Sequence, residues 1–117
     1  MKKASIQSRL NDLIRAIEGA SETIGGVDFE TFESTFHMSR TAERCVEIVS
    51  EATKHIPDDL KSQHPEIAWS QIAGIGNVLR HDYDRIDAKI IWEVASKHFP
   101  QLRAVVLELK GELSEED

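Results

Sequence analysis

The clearest helical pattern in the chain runs through residues 38–56, MSRTAERCVEIVSEATKHI. Its apolar residues recur every three or four positions, which places them in one stripe along an α-helix. The members of this stripe are Met38, Ala42, Cys45, Val46, Val49, Ala52 and Ile56. Lys54 and His55 place positive charge near the C-terminus, and Pro57 cannot continue the helix. The pattern predicts a helix from about Ser39 to Ile56 that packs one face into a core.

A second stripe of the same spacing lies upstream, in residues 4–24. Gly25 and Gly26 follow it and predict the end of that helix. Asp28 is of a type that favours the N-cap position, so a short helix is expected to begin there. The apolar side of this helix is expected to consist of Phe29, Phe32 and Phe36.

Residues 57–68 contain two prolines and no sustained period, which predicts a connector with one short helical turn. Trp69 opens the next helix, which contains Gly74 and Gly76. A glycine in a helix interior costs about 1 kcal/mol relative to alanine. This cost predicts that a neighbouring helix or a twin subunit packs against the backbone at these two positions.

A last helical region begins at Asp87, another favoured N-cap. Its apolar stripe contains Ile90, Ile91, Val94, Ala95, Phe99, Leu102, Val105, Val106 and Leu109. Pro100 predicts a break or kink in this region, and Gly111 predicts its end. We therefore expect a single helical domain in residues 1–111 and an acidic, disordered tail in residues 112–117.

The size of the chain limits the possible folds. With 117 residues and a mass of 13.2 kDa, it is expected to form one small domain. The sequence shows neither the two-residue alternation of strands nor an internal repeat. These features predict an all-α, up-and-down bundle of four main helices plus a short helix. Because so short a chain has little core, we also expect a symmetric dimer.

Charge and cysteine content argue against several classes of protein. The 21 acidic and 14 basic residues give a net charge of −7, which disfavours a broad basic surface for nucleic acid. Cys45 is the single cysteine, so we expect no intramolecular disulfide, no CxxC zinc site and a cytoplasmic location. The longest uncharged run, Ile67 to Leu79, is well short of the roughly 20 apolar residues that a membrane span needs. Neither a membrane span nor a signal peptide is expected.

Polar residues cluster at residues 76–85, GNVLRHDYDR. If the helix from Trp69 continues to about residue 83, Asn77, Arg80 and His81 stand at i, i+3 and i+4 on one face. Histidine exchanges a proton near neutral pH, and an arginine can hold a phosphate by two parallel hydrogen bonds. Together with the phenol of Tyr83, these groups could cleave RNA without a metal.

The same residues also have a purely structural interpretation. Arg80 and Asp84 could form a local ion pair on a solvated helix end. Glu51 could be an exposed helix charge or a partner that orients the cluster, and Cys45 is expected to pack in the core. The other histidines fall on separate elements and predict no zinc site. They are His37, His55, His64 and His98.

The order of several short motifs resembles the HepT-like family of the HEPN superfamily over roughly residues 5 to 110. The motifs are Ser50-Glu51-Ala52, Pro65-Glu66-Ile67-Ala68-Trp69, Asn77-x-Leu79-x-His81-x-Tyr83, Ile86-Asp87, Ile91-Trp92 and Pro100. Such proteins are dimeric helical bundles that act as the RNase toxin of a two-gene module. The resemblance implies an RNA substrate and a partner, a small MntA-like nucleotidyltransferase antitoxin.

The family motif is arginine, four residues, histidine, one residue, tyrosine. His81 and Tyr83 match it, and Asn77 matches the asparagine that usually follows the arginine. Gly76 stands where the family has the arginine. Arg80 lies one helical turn beyond Gly76, and helix side chains lean toward the N-terminus. We therefore hypothesise that the Arg80 guanidinium replaces the missing arginine.

The expected catalytic residues are thus His81, Arg80 and Asn77. The resemblance implies that the partner transfers AMP to Tyr83, and it implies no metal and no cofactor. A second hypothesis, which Gly76 favours, is a HEPN bundle without catalysis that serves as a binding module for the transferase. A third is a helical adaptor without a transferase partner.

Overall fold

The computed structural model describes residues 3–81 and 87–115, and it describes side chains for residues 4–79 and 87–114. The helical elements are α1 (Lys3–Ile24), α2 (Phe29–Ser34), α3 (Phe36–Lys54), α4 (Asp58–Lys61), α5 (Trp69–His81), α6 (Ala88–Glu93), a π-helical turn (Val94–His98) and α7 (Phe99–Glu115). No β-strand occurs in these residues. The predicted all-α fold is therefore confirmed.

Four long helical segments form the body of the fold, because α6, the π turn and α7 follow one another without a break. Helix α1 packs against α3 and α7, and α3 packs in turn against α5. The stripe of α1 is buried as its period predicts, with Leu10, Leu13 and Ile17 all 0% exposed. The core thus lies along the shared sides of α1, α3 and the last long helix.

The short helix α2 begins where the sequence indicates. The Asp28 carboxylate accepts a hydrogen bond from the Thr31 backbone N–H at 2.8 Å, and the Phe32 ring is fully buried. The assignment of Phe36 to the apolar side of this helix was wrong. Phe36 instead opens α3 and is 71% exposed, with the Arg40 guanidinium 5.1 Å from its ring centroid.

The predicted irregularity near Pro100 takes the form of the π turn. Ile91, Ala95 and Phe99 are all buried at successive steps of four residues, which is wider than the α-helical repeat. In the π turn the Phe99 N–H donates to the Val94 carbonyl, five residues back, and this wider turn keeps the three side chains on one line. Pro100, which has no N–H to donate, follows at once.

The prediction that Gly111 ends the last helix was wrong. Helix α7 passes through Gly111 and continues to Glu115. Leu113 is only 7% exposed, so it extends the buried stripe by one further turn beyond Leu109. Burial of this leucine outweighs the local preference of glycine for a helix end.

Candidate functional site

Helix α5 carries the candidate residues, and the connector before it fixes its start. The Trp69 indole N–H lies 3.1 Å from both the Lys61 and the His64 carbonyl oxygens. Ile67 and His64 are both buried beneath this turn. The ring of Trp69 therefore ties the first residue of α5 to the preceding loop.

The middle of α5 lies directly against α3. The Ser50 hydroxyl donates to the Ala73 carbonyl at 2.8 Å and accepts from the Gly76 N–H at 3.0 Å. The predicted packing against the helix backbone is thus confirmed at Gly76, and the neighbour is a helix of the same chain. At Gly74 no atom of another described element lies within 4 Å of an added Cβ atom, so packing by a twin subunit there stays a prediction.

Asn77, Arg80 and His81 lie in one unbroken helix, as their proposed i, i+3 and i+4 relation requires. Asn77 is exposed on this helix. The side chains of Arg80 and His81 lie outside the described part of the structure. Tyr83 and Asp84 lie outside it altogether, as does the proposed Arg80–Asp84 ion pair.

Between Trp69 and Leu79, where its side chains are described, the outer face of α5 is exposed and uncharged. Ser70, Gln71 and Asn77 are exposed, and Val78 is 56% exposed. Charged residues are depleted at the centres of protein interfaces, a feature that this stretch of α5 shares.

Glu51 does not reach the candidate residues through any contact that the structure describes. Its carboxylate lies 3.1 Å from His55 Nε2 and 3.6 Å from Lys54 Nζ, both on α3. The hydrogen bond to His55, followed by the charge of Lys54, lowers the pKa of Glu51. These contacts favour the exposed helix charge over the orienting partner.

Cys45 is only 9% exposed, and its packing agrees with the structural interpretation. Burial raises the pKa of its thiol, an effect that the nearby charge of Arg44 partly opposes. A raised pKa keeps the sulfur protonated and therefore weakly nucleophilic.

The described residues contain no group of three or more His, Cys, Asp or Glu side chains that could hold a metal ion. His55 and His64 instead contact single carboxylates, those of Glu51 and Glu66. Within the same residues, no helix combines the length and apolar character that a membrane crossing requires.

Comparison with known proteins supplies the family. The family model described as "Ribonuclease HepT-like" matches residues 13–109, most of the chain. The chain belongs to the HepT-like ribonuclease family. The matched range includes α3 and α5, so the crossing at Ser50 and Gly76 lies within the family domain.

Several proteins are similar to this chain over nearly their full length. "Probable ribonuclease HepT" of Thermococcus cleftensis is 34% identical over 101 residues, which cover 86% of this chain and 92% of the relative. A protein of Caldanaerobacter subterraneus subsp. tengcongensis with a provisional RNase name is 32% identical over 86% of this chain and 89% of the relative. A protein of Methanocaldococcus jannaschii, also provisionally named as an RNase, is 28% identical over 88% of this chain and 89% of the relative. No solved structure matches the chain significantly.

Proposed function

We propose that this protein is a metal-independent endoribonuclease toxin of a type VII-like toxin–antitoxin system. The observation that carries the proposal is membership of the HepT-like ribonuclease family over residues 13–109. The unbroken course of α5 through Asn77, Arg80 and His81 supports it, because these residues then share one rigid element. The named RNase relatives span the same domain, which supports RNA as the substrate.

In the proposed reaction, His81 takes the proton from a ribose 2′-hydroxyl. The 2′-oxygen attacks the adjacent phosphorus, the bond to the 5′-oxygen breaks, and that oxygen takes up a proton from solvent water, which leaves a 2′,3′-cyclic phosphate and a 5′-hydroxyl. Arg80 stabilises the negative charge of the phosphorane, and Asn77 orients the ring or the RNA. Single-stranded RNA suits this reaction, since A-form duplex geometry hinders alignment of the 2′-oxygen with the leaving group.

The proposed regulation of the toxin is the one that the family resemblance implies. An MntA-like nucleotidyltransferase transfers AMP from ATP to the Tyr83 oxygen, with release of pyrophosphate and the phenol proton, and so places negative charge and bulk two residues from His81. The modified toxin is inactive. A small nucleotidyltransferase gene next to the gene for this chain would support the pairing.

A homodimer completes the proposed site. The uncharged outer face of α5, with Val78 56% exposed, is the surface that supports this arrangement. Two copies that meet on this face bring two α5 helices, and so two sets of candidate residues, into one cleft. In that arrangement each Arg80 can act on RNA beside the partner copy's histidine.

A catalytically impaired binding module is the alternative, and one observation favours it. Gly76 occupies the position of the family arginine, and in the structure it is buried with its N–H bonded to Ser50. This position supplies no cation. If Arg80 does not replace the arginine, the bundle serves only to bind the transferase.

Cleavage of a single-stranded RNA in the presence of EDTA tests the proposal. We expect the purified protein to cleave, His81→Ala to lower kcat by about 10²–10⁴-fold and Arg80→Ala by about 10²–10³-fold. The matched controls are His37→Ala, an exposed histidine on α3, and Arg103→Ala, whose guanidinium binds Glu18 at 3.0 Å. Equal activity of all five proteins would refute the assigned roles. Absence of cleavage by the unsubstituted protein would favour the binding module.

A further inference from the structure

Ser50 is a buried polar residue for which the proposed reaction has no role. Its side chain lies in α3 and is 1% exposed. The hydroxyl nevertheless has both a donor and an acceptor partner, and both are backbone groups of α5, at Ala73 and Gly76. One small side chain thus joins two helices at a single turn.

Other helical hydroxyls of the chain behave differently. Thr53, Ser96 and Ser114 donate to carbonyl oxygens three or four residues earlier in their own helices. That is the common arrangement for serine and threonine inside helices. The Ser50 hydroxyl instead bonds to backbone groups of α5, so it contributes to the relative position of α3 and α5.

The contact is made to a glycine. The Ser50 oxygen lies 3.0 Å from the backbone nitrogen of Gly76, a residue that carries no side chain. Gly76 is buried at this crossing, whereas Gly74 has open space around it. The position that lacks the family arginine is therefore a point of close helix contact in this chain.

Beyond Trp69 and this crossing, α5 makes few contacts with other elements in the part of the chain that the structure describes. Among the elements of the described structure, α3 is the one on which α5 packs extensively. A cleft of about 180 Å³ lies between α5 and the π turn. Its lining includes Gln71, Ile72 and Ile75 of α5 and Val94 and His98 of the π turn. The position of α5 is thus determined mainly along α3, where Ser50 provides a polar contact.

We propose that Ser50 is a positioning residue for the candidate site. Its hydroxyl fixes the turn from Ala73 to Gly76 against α3 and so sets where Asn77 and His81 lie. His81 follows Gly76 by five residues, about 7.5 Å along the same rigid helix, so a shift at the crossing is transmitted to it. The positioning itself is a property of the fold, while its effect on RNA cleavage rests on the proposed function.

The test compares Ser50→Ala with Thr53→Val. Both variants remove one buried hydroxyl from α3, and Thr53 is 0% exposed, but the Thr53 hydroxyl bonds within its own helix. We expect Ser50→Ala to melt at a somewhat lower temperature than Thr53→Val, because it loses two hydrogen bonds where Thr53→Val loses one. We expect Ser50→Ala alone to lower kcat by about tenfold to 100-fold, with KM changed by less than about twofold, since misplacement of the base affects the chemical step. Equal kcat values in the two variants would overturn the proposal.

Nuclear magnetic resonance gives a readout that does not require cleavage. In Ser50→Ala, hydrogen exchange of the Gly76 amide should accelerate at least about tenfold and the ring signals of His81 should shift, while Thr53→Val leaves both near their original values. If the protein cleaves no RNA but these changes appear, the proposed function fails and the positioning role stands. If the Gly76 amide and the His81 signals respond alike to both substitutions, the positioning role is refuted whatever the activity.

Discussion

Glycines in this chain differ in what surrounds them and in their backbone conformation. Gly111 lies inside α7, is exposed, and would have nothing within 4 Å of an added Cβ atom. Gly26 also has open space, but its φ of 74° lies in the left-handed region that side chains disfavour. The same substitution should therefore have opposite effects at the two positions.

We expect Gly111→Ala to raise the free energy of unfolding by about 0.5–1 kcal/mol, since alanine has the higher helix propensity. Gly26→Ala should lower it by about 1–2 kcal/mol, because alanine must adopt a positive φ. Urea unfolding followed by circular dichroism measures both. A destabilised Gly111→Ala would mean that α7 does not continue through residue 111.

Gly74 and Gly76 show what the sequence alone could not decide. Both are helix-interior glycines, and helix propensity assigns them the same cost. The structure distinguishes them, because Gly76 donates its N–H to the Ser50 hydroxyl, whereas a Cβ atom at Gly74 would meet nothing within 4 Å. That distinction depends on which face of α5 meets α3, which is a tertiary property.

At the scale of single elements, the start of α2 carries a pH-dependent contact. The Asp28 carboxylate accepts the Thr31 N–H at 2.8 Å, and the hydrogen bonds with Thr31 lower the pKa of Asp28 below its ordinary value of 3.8. A lowered pKa in the folded state stabilises the protein above the ordinary pKa, and this contribution is lost as the pH falls through the folded value.

We therefore expect Asp28→Asn to change the acid sensitivity of the fold. Asparagine is an equally good N-cap but does not titrate. Between pH 5 and pH 2.5, the melting temperature of the unsubstituted protein should fall more steeply than that of Asp28→Asn, while the two agree closely near pH 7. Parallel pH profiles in thermal scans would contradict a titrating cap at Asp28.

The π turn is an element whose place could be predicted from the sequence but whose form could not. Pro100 marks the place of the irregularity in the sequence, but its form follows from Ile91, Ala95 and Phe99, which must all face the core. A sharp kink would turn part of this stripe away from α1. A single wide turn keeps the stripe buried, and only packing against the other helices selects it.

At the scale of the whole molecule, the four long helices could be predicted because their apolar stripes are long and regular. The candidate site could be predicted as a segment, since residues 76–85 concentrate the polar groups, and the family resemblance supplied the proposed roles. Ser50 belongs to one of the motifs that carry the resemblance, but its contact with α5 could not be found in this way. In the sequence Ser50 is a small residue beside Val49, and nothing indicates that its hydroxyl leaves its own helix when that of Thr53 does not.

The dimer proposal makes the last prediction, and it depends on two exposed apolar residues. Val78 is 56% exposed on the uncharged outer face of α5, and Leu107 is 42% exposed on α7. Only Val78 lies beside the candidate site. Burial of an unpaired arginine in an uncharged contact between two copies is costly, so Val78→Arg should separate them.

We expect light scattering at micromolar concentration to give about twice the 13.2 kDa chain mass for the unsubstituted protein and for Leu107→Arg, and a single chain mass for Val78→Arg. Circular dichroism should show that all three remain helical, since both substituted side chains are exposed. If RNA cleavage needs both copies, Val78→Arg also loses activity while Leu107→Arg retains it. If the unsubstituted protein is a monomer, the functional cleft lies within one chain. If Leu107→Arg alone causes dissociation, the dimer contact lies on α7. Either result would contradict the dimer proposal, because the face of α5 would then have no partner.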